Sequence, residues 1–180
     1  MGRPDGSSAY LRLSTRPVDQ TLAAVPTDPA GRERRRRQVV AGAYPLHRVE
    51  APALTIAAMG ALVPEALAAA ERLAAQGTPT DVVCVTSPGL VFEAVQARSG
   101  RGPGESWVLD AVFPARRATP LVTVLDGHPH TLAFLAGINQ VRAAHLGVSR
   151  FGQSGDLDDV YRHHGLDVDS IVRAGLDLTG

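Results

Sequence analysis

The sequence predicts an α/β domain whose largely parallel sheet is covered by helices on both faces. Continuous apolar runs are typical of strands buried on both faces, and such runs occupy residues 53–59, 81–87 and 121–127. Each run is followed by a segment in which apolar residues recur at helical spacing. Because buried strands alternate with helices along the chain, we expect neighbouring strands to be parallel and joined by crossover helices.

A shorter run at residues 43–49 predicts a strand of a different kind. Pro45 lies inside it, and proline has no backbone N–H to donate to a neighbouring strand. We therefore expect this segment to form an edge strand of the sheet.

The first predicted helix follows the strand at residues 53–59. Gly60 ends that strand, Pro64 suits a first helical turn, and Glu65 is favourable at the positive end of the helix dipole. Gly77 ends this helix, because glycine readily adopts the backbone conformation that terminates helices.

The remaining predicted elements continue the same alternation. The strands are expected at residues 81–87, 121–127 and 145–148, and the helices at 90–98, 107–112, 131–137, 156–166 and 167–178. We expect Asp156 to cap the helix at 156–166, and either Asp167 or Asp169 to cap the last helix.

Composition excludes several classes of function. The chain has 180 residues and no net formal charge, so no global field attracts it to nucleic acid or to an anionic membrane. All 18 basic residues are arginine, which excludes a Schiff-base lysine, a pyridoxal-phosphate lysine and a phosphate-loop lysine. The length suits one domain with an appendage, and no secretory or membrane-spanning segment is evident.

Two further features point to ordinary structural roles. The arginine run at residues 32–37 is typical of a solvated helix face or a linker, and no aromatic residues are interleaved as in a nucleic-acid arm. Cys84 is the only cysteine, which excludes a disulfide framework and indicates a cytoplasmic protein. Since apolar residues flank Cys84, we expect a buried, unreactive thiol.

One cluster of residues is a candidate for metal chemistry. Asp126, His128 and His130 follow the apolar run at 121–127 and carry side chains that bind metals. The pattern superficially resembles the metal signature of amidohydrolases, but those enzymes need an eight-stranded barrel that this chain is too short to form. The alternative is a polar loop at the end of a strand.

Other candidate motifs favour structural interpretations. His163 and His164 are adjacent on a predicted helix and point about 100° apart, so they cannot chelate one ion together. The segment GQSGD at 152–156 is not a nucleophile elbow, because Asp156 stands where that motif has glycine. We interpret it as a turn and a helix cap.

The order of these segments resembles the carboxy-terminal domain of the transketolase family. The first half of the resemblance lies in GAYPLHRVEAPALTIAAMGALVPEALAAAERLAAQGTPTDVVCVTSP at 42–88. The segments LGVSRFGQSGD at 146–156 and YRHHGLDVDSIVRAGL at 161–176 are more specific, and they resemble the end of the homodimeric pyruvate dehydrogenase decarboxylase component. YLRLSTRP at 10–17 is similar to the last strand of the pyrimidine-binding domain that precedes this domain in the family.

Three positions depart from the family pattern. Ala61 follows Gly60 where the family usually has serine, and Ser149 and Arg150 lie where it usually has aspartate before the phenylalanine–glycine pair. The Gly-Asp-Gly motif that holds magnesium in the family is missing, and Asn139 is the only asparagine.

The resemblance implies a three-layer α/β/α fold with a five-stranded, mostly parallel mixed sheet whose first strand is an antiparallel edge. It implies that residues 1–41 are the end of a preceding pyrimidine-binding domain plus an arginine-rich linker, and that 42–180 are the domain itself. The strand at 10–13 is then without its home sheet, and we expect it to be mobile or to pack opportunistically.

The resemblance also implies a function. The parent would be a thiamine diphosphate-dependent 2-oxo acid dehydrogenase or a transketolase, with thiamine diphosphate and magnesium bound by its other domains. This chain would carry no catalytic or cofactor-binding residue, would be inactive alone, and would support dimerisation and assembly. Its partners would be a second copy, the remaining parent domains and an acyltransferase component, without nucleic acid or membrane.

Two alternatives remain open at this point. Met1 lies close to the last strand of a preceding domain, which suits a truncated reading frame, but a stand-alone binding or scaffold module of the same fold fits as well. The second alternative is a small metal hydrolase using Asp126, His128 and His130. The parent substrate could be pyruvate, another 2-oxo acid or a ketose phosphate.

Overall fold

The computed structural model of the chain describes residues 16–150 and 152–180. Its five strands form one sheet and are β1 (Ala43–His47), β2 (Leu54–Met59), β3 (Thr80–Val85), β4 (Leu121–Leu125) and β5 (Ala143–Leu146). The strand order is β1-β3-β2-β4-β5, with β1 antiparallel to β3 and the other neighbours parallel. The predicted mixed sheet and its antiparallel edge strand are therefore confirmed.

Eight α-helices connect and cover these strands. They are α1 (Pro29–Val40), α2 (Val63–Ala75), α3 (Pro88–Arg98), α4 (Trp107–Val112), α5 (His130–Ala133), α6 (Ala136–Asn139), α7 (Leu157–His164) and α8 (Val168–Thr179). None of the helices in the described part of the chain has the length and apolarity that crossing a membrane requires. The strand predicted at 10–13 lies outside the described residues.

Two apolar cores lie on opposite faces of the sheet. The first core joins strand residues such as Ile56 and Val82 to α2, α7 and α8, and it includes Tyr161. The second core joins Ala57 and Val83 to helices α3 to α6. Adjacent residues of one strand thus enter opposite cores, which explains why β2 is apolar throughout and confirms the three-layer α/β/α arrangement.

Two predicted boundaries are wrong. The helix expected at 131–137 is interrupted, because the amides of Leu135 and Gly137 bond three residues back, which tightens the turn between α5 and α6. The last strand begins at Ala143 rather than His145, because Ala143 pairs with Leu121 of β4. Alanine has little strand preference of its own, so pairing decides its conformation here.

The predicted helix caps are largely confirmed. Asp156 precedes α7, and its Oδ1 accepts a hydrogen bond from the Asp158 amide at 3.1 Å. Asp167 occupies the N-cap position of α8, but its carboxylate accepts a hydrogen bond from the Ser170 hydroxyl at 2.6 Å rather than from a backbone amide. Asp169 lies inside α8 and pairs with a neighbouring helix instead of capping.

The arginine run forms the middle half of α1, which packs along the edge strand β1. Arg36 is solvated, as predicted, and pairs with Glu33 on the same helix face. Arg35 is not: its guanidinium donates to the Ala23 carbonyl at 2.9 Å and lies 4.3 Å from the centroid of the Tyr44 ring. One arginine of the run therefore fastens α1 to the sheet.

A buried ionic cluster, which we call the Asp81 cluster, closes the amino-terminal end of the sheet. The Asp81 side chain is inaccessible to solvent and accepts hydrogen bonds from Arg48 Nη1 at 2.6 Å, Arg117 Nη2 at 3.0 Å and the Val49 amide at 2.9 Å. The same arginines donate to the carbonyls of Val112 and Val49. One carboxylate thus joins β3 to the segments before β2 and β4.

Candidate functional site at the carboxyl edge of the sheet

The strand order creates a topological switch point between β2 and β4. From the central strand β2 the chain passes through α2 to β3 on one side, and β4 then pairs with the other side of β2. In open α/β sheets, ligands bind outside the carboxyl ends of strands at such a point. The loops that leave β2 and β4 therefore frame the candidate site.

Gly60 brings these two loops together. Its φ of +66° is in the left-handed region, which glycine adopts at little cost. A side-chain Cβ at this position would lie 3.1 Å from Asp126 Oδ1, so glycine leaves room for the carboxylate that follows β4. The predicted end of β2 at Gly60 is confirmed, and its role is close approach as well as chain reversal.

An ion pair at Glu65 lies beside this junction. Glu65 stands in the first turn of α2, is 9% exposed, and accepts a hydrogen bond from Arg16 Nη1 at 2.5 Å through Oε1. Within the described part of the chain, its Oε2 is buried and has no hydrogen-bond partner. Arg16 also donates to the Ala61 carbonyl and lies 5.7 Å from the Tyr161 ring centroid.

The electrostatics of this cluster follow from burial and pairing. For Arg16, desolvation acts to lower the pKa, but hydrogen bonds to Glu65 and Tyr161 and the Glu65 charge together raise it. Burial is the main cause that raises the pKa of the Tyr161 hydroxyl, which Arg16 partly opposes. Arg16 therefore stays a cation and Tyr161 a neutral phenol at physiological pH.

This arrangement holds the amino-terminal segment against the carboxyl edge. Arg16 comes from outside the sheet and contacts α2, its preceding turn and α7, so it fastens three separate segments. Nucleophilic catalysis needs a nucleophile hydrogen-bonded to a base, and the cluster that Arg16, Glu65 and Tyr161 form in the described structure offers no such pair. The geometry suits a structural contact that holds segments of the chain together.

We expect Arg16→Gln to release this contact. The substitution leaves the Glu65 carboxylate buried without its cation, at a cost of about 1–2 kcal/mol in the free energy of unfolding. The measurement is chemical denaturation, with limited proteolysis reporting on cleavage near residue 16. Arg72→Gln is the matched control, because the Arg72–Asp169 pair is exposed and should contribute little. Equal losses in both variants would contradict the expectation.

The metal candidates Asp126, His128 and His130 do not converge. The two imidazole centroids are 6.2 Å apart and nearly perpendicular, and both side chains are exposed. His128 Nδ1 accepts a hydrogen bond from the His130 amide at 3.3 Å. Among the residues that the structure describes, no group of three or more His, Cys, Asp or Glu could hold a metal ion. The geometry thus favours the polar-loop interpretation.

The other predicted side chains are two histidines of α7 and the cysteine of β3. His163 is exposed and His164 is half-buried, with perpendicular rings, so the two point in different directions. Cys84 is half-buried in β3 beside Tyr44, and burial is the main cause that raises its thiol pKa. A thiol that resists ionisation is a poor nucleophile, as the sequence predicts.

His145 gives the domain a pH response. Its Nδ1 lies 2.9 Å from the hydroxyl of buried Thr123, and burial lowers its pKa below the ordinary 6.5. The unfolded state therefore binds the proton first, so the free energy of unfolding should decrease as pH falls from about 6.5 towards the lower folded-state pKa. NMR titration of the imidazole and denaturation against pH measure this. His145→Gln should flatten that part of the profile; an unchanged slope would contradict the assignment.

Sequence reasoning missed the cluster around Glu65. The sequence pattern relates Glu65 only to the helix dipole, and it gives Arg16 and Tyr161 no role beyond their segments. Arg16 and Glu65 are 49 residues apart in sequence, and no local pattern connects them. The available signal was Glu65 itself, because a charged residue beside an apolar strand end tends to have a partner.

Comparison with known proteins gives one family match. A family model described as the transketolase-like carboxy-terminal domain matches residues 42–167. Among curated protein sequences, none matches the chain.

Solved structures show the same relationship. Transketolase from Leishmania mexicana is 28% identical with a TM-score of 0.58, and the match covers 79% of this chain and 18% of that one. Transketolase from Campylobacter jejuni is 22% identical with a TM-score of 0.59, covering 76% and 18%. A structure described as split gene transketolase, inactive beta4 tetramer, is 19% identical with a TM-score of 0.57, covering 77% and 42%. The chain spans about 18% of the length of the first two.

Proposed function

Because the chain belongs to the transketolase-like carboxy-terminal domain family, we propose that it serves as the carboxy-terminal domain of a thiamine diphosphate-dependent enzyme. In this role it supports dimerisation and assembly and does not catalyse a reaction alone. The observation that carries the proposal is the family match over residues 42–167. The described sheet, with an antiparallel first strand and a switch point beside Glu65, agrees with it.

The residues present do not fit the cofactor of such an enzyme. The family binds the diphosphate through magnesium, and the described residues include no group of three or more His, Cys, Asp or Glu able to hold a metal. The crevice at the switch point is instead approached by Arg16, which pairs with the only carboxylate of α2's first turn. We therefore assign thiamine diphosphate and magnesium to other domains of the parent.

The finer assignment is to a pyruvate dehydrogenase-like parent. The segments at 146–156 and 161–176 support it, because they resemble the homodimeric decarboxylase component more than transketolases in general. The resemblance of the segments at 10–17 and 42–88 favours a domain boundary near residue 42. The single cysteine favours a cytoplasmic location, and an acyltransferase component would be a further partner. The alternative parent enzyme in this proposal is a transketolase.

The solved structures offer one precedent for a separate chain. One of them is described as split gene transketolase, inactive beta4 tetramer. By analogy, this chain would need a second chain that carries the cofactor-binding domains.

An apolar surface supports contact with those domains. Val40 on α1 and Leu90 on α3 are 60% and 42% exposed. Gly42 follows α1 and lies against α3, because a Cβ at Gly42 would be 3.1 Å from Leu90 Cβ. Exposed apolar side chains that cluster mark interaction sites more often than isolated ones do.

The proposal is tested by reconstitution. The full chain, with thiamine diphosphate and magnesium, is assayed for oxidative decarboxylation of pyruvate and for ketol transfer, alone and with a chain carrying the cofactor-binding domains. We expect no turnover alone and turnover in the mixture, weakened by Val40→Ser/Leu90→Ser at the apolar surface. The native mass of the gene product, by immunoblot, shows whether the two parts are joined in cells. Turnover by the chain alone would overturn the proposal, as would a monomeric chain that no cofactor-binding domain captures.

A further inference from the structure

A groove lies between α1 and α4, where one side of each helix faces the other. Its volume is about 550 Å³, within the range of about 300–1,000 Å³ that ligand pockets occupy. We call it the Trp107 groove. Trp107 and Ala111 line it on α4, and their spacing places them on the same side of that helix. The lining residues on α1 are Ala30, Glu33, Arg34, Arg37 and Gln38.

Gln38 is the least expected residue of this lining, because it is a buried polar side chain without a partner. It is 7% exposed, and its side-chain amide forms no hydrogen bond with any residue that the structure describes. The amide is not sealed off, since Glu65 Oε2 is the one fully inaccessible side-chain polar atom that lacks a partner in that part of the chain. Buried amides are normally hydrogen-bonded. The Gln38 amide therefore opens into the groove that it lines and is available to a ligand there.

The charge around the groove is positive. Glu33 is the carboxylate of the lining, and hydrogen bonds from Arg36 to both of its oxygens are the main cause that lowers its pKa. The charge of Arg37 also lowers it, so Glu33 interacts with two guanidinium groups. Arg34 forms neither a hydrogen bond nor an ion pair with the described residues. Three guanidinium groups thus surround one carboxylate, which favours an anionic ligand, and Arg34 is the group most available to it.

Trp107 supplies the apolar part of the groove. Its ring is half-buried, and the Arg37 guanidinium lies 5.2 Å from the ring centroid, which is a cation–π contact. Ala30 and Ala111 add methyl groups to the same lining. A ligand that fits these surfaces combines an apolar body with an anionic group. An aromatic body suits best, because aromatic rings pack favourably against an indole.

We propose that the Trp107 groove binds a small organic carboxylate whose body is an aromatic ring. The ring would pack against the Trp107 indole, while the carboxylate would accept hydrogen bonds from the Arg34 guanidinium and the Gln38 amide. The planar fork of a guanidinium group matches the two oxygens of a carboxylate. This site goes beyond the proposed role in a thiamine enzyme and does not depend on it, because α1 and α4 of this chain provide all of these residues.

Three small probes test this chemistry on the full chain. Phenylacetate carries both the ring and the carboxylate, phenylacetamide carries the ring without the charge, and acetate carries the charge without the ring. Trp107 is the only tryptophan, so its fluorescence reports directly on the groove. Phenylacetate should change that emission saturably and bind more tightly than either of the other two probes. Added salt should weaken its binding, because an ionic contact contributes to it. Isothermal titration calorimetry measures the same affinities independently.

Two variants separate the contacts. Arg34→Gln removes a guanidinium group, and Gln38→Leu removes the amide while keeping a similar side-chain volume. Each removes a hydrogen bond to a charged ligand group, so each should lower the affinity for phenylacetate about tenfold. Arg34 is exposed, so its replacement tests the site even if Gln38→Leu disturbs the fold. Arg116→Gln is the matched control, since it removes an exposed arginine outside the groove and should bind phenylacetate like the unmodified chain.

Saturable binding of phenylacetate that Arg34→Gln weakens and Arg116→Gln does not would support the site. Four results would overturn it. They are the lack of a saturable response to phenylacetate, equally tight binding of phenylacetamide, an unchanged affinity in Arg34→Gln, and binding of inorganic phosphate as tight as that of phenylacetate, which would indicate an adventitious ion only. None of these results bears on the proposed role in a thiamine enzyme, whose test is turnover in the reconstituted mixture.

Discussion

Asp81→Ala should destabilise the domain more than any other single change considered for this chain, by about 3–5 kcal/mol in the free energy of unfolding. The carboxylate is inaccessible to solvent and pairs with both Arg48 and Arg117, whose side chains are 28% and 22% exposed. Its removal leaves two guanidinium groups and the Val49 amide without their common acceptor. Chemical denaturation followed by circular dichroism measures the loss.

Two further variants separate charge from packing at this position. Asp81→Asn keeps the shape and one acceptor oxygen, so its loss of stability should be smaller than that of Asp81→Ala but still substantial. Asp110→Ala removes a carboxylate that is 74% exposed and paired with Arg98, and it should have little effect. A small effect at Asp81, similar to that at Asp110, would mean that the buried cluster does not stabilise the fold.

Gly175→Val should produce the second large loss, of about 2–3 kcal/mol. Gly175 lies where α8 packs closely on β2 and α2: a Cβ there would lie 2.7 Å from Leu54 Cδ2 and 3.2 Å from Leu73 Cδ1. Both leucines are fully buried, so neither can move into solvent. The added side chain must displace α8 or force the leucines from their preferred rotamers.

A double-mutant cycle tests this cause directly. Leu73→Ala costs stability by creating a cavity, but it also makes room for the valine, so the double variant should lose less than the two single losses combined. Gly137→Ala in α6 is the control, because no atom lies within 4 Å of its Cβ position and alanine favours helix. Simple additivity in the cycle would show that the close approach of α8 is not what makes Gly175 necessary.

The sheet was predictable because its evidence is local and repeated. The apolar runs at 53–59 and 81–87 indicate buried parallel strands without reference to distant residues. Pro45 identifies the edge strand because proline has no backbone N–H to donate. The errors fall where local preference is weak. Ala143 is a strand residue because it pairs with β4, and no property of alanine itself predicts this.

The site was less predictable, because its contacts join residues far apart in sequence. Arg16 contacts Glu65, and Asp81 contacts Arg117, only in the folded chain, because each pair is far apart in sequence. Asp81 did offer a signal, since a carboxylate that opens an apolar strand must find a cation if it is buried. A metal site at Asp126 and its two histidines would need the three side chains to point to one position, and the loop does not arrange them so.

The position of β1 has a consequence for how the chain folds. β1 precedes its partner in the chain: Ala43 pairs with Val85, so the partner strand β3 is made only after β2 and α2. Until then β1 is an unpaired strand, and such segments are prone to bind other chains. Because Pro45 has no backbone N–H, this unpaired strand has one hydrogen-bond donor fewer. We therefore expect the residue that limits β1 to an edge also to make this strand a poorer template for other chains before the sheet is complete.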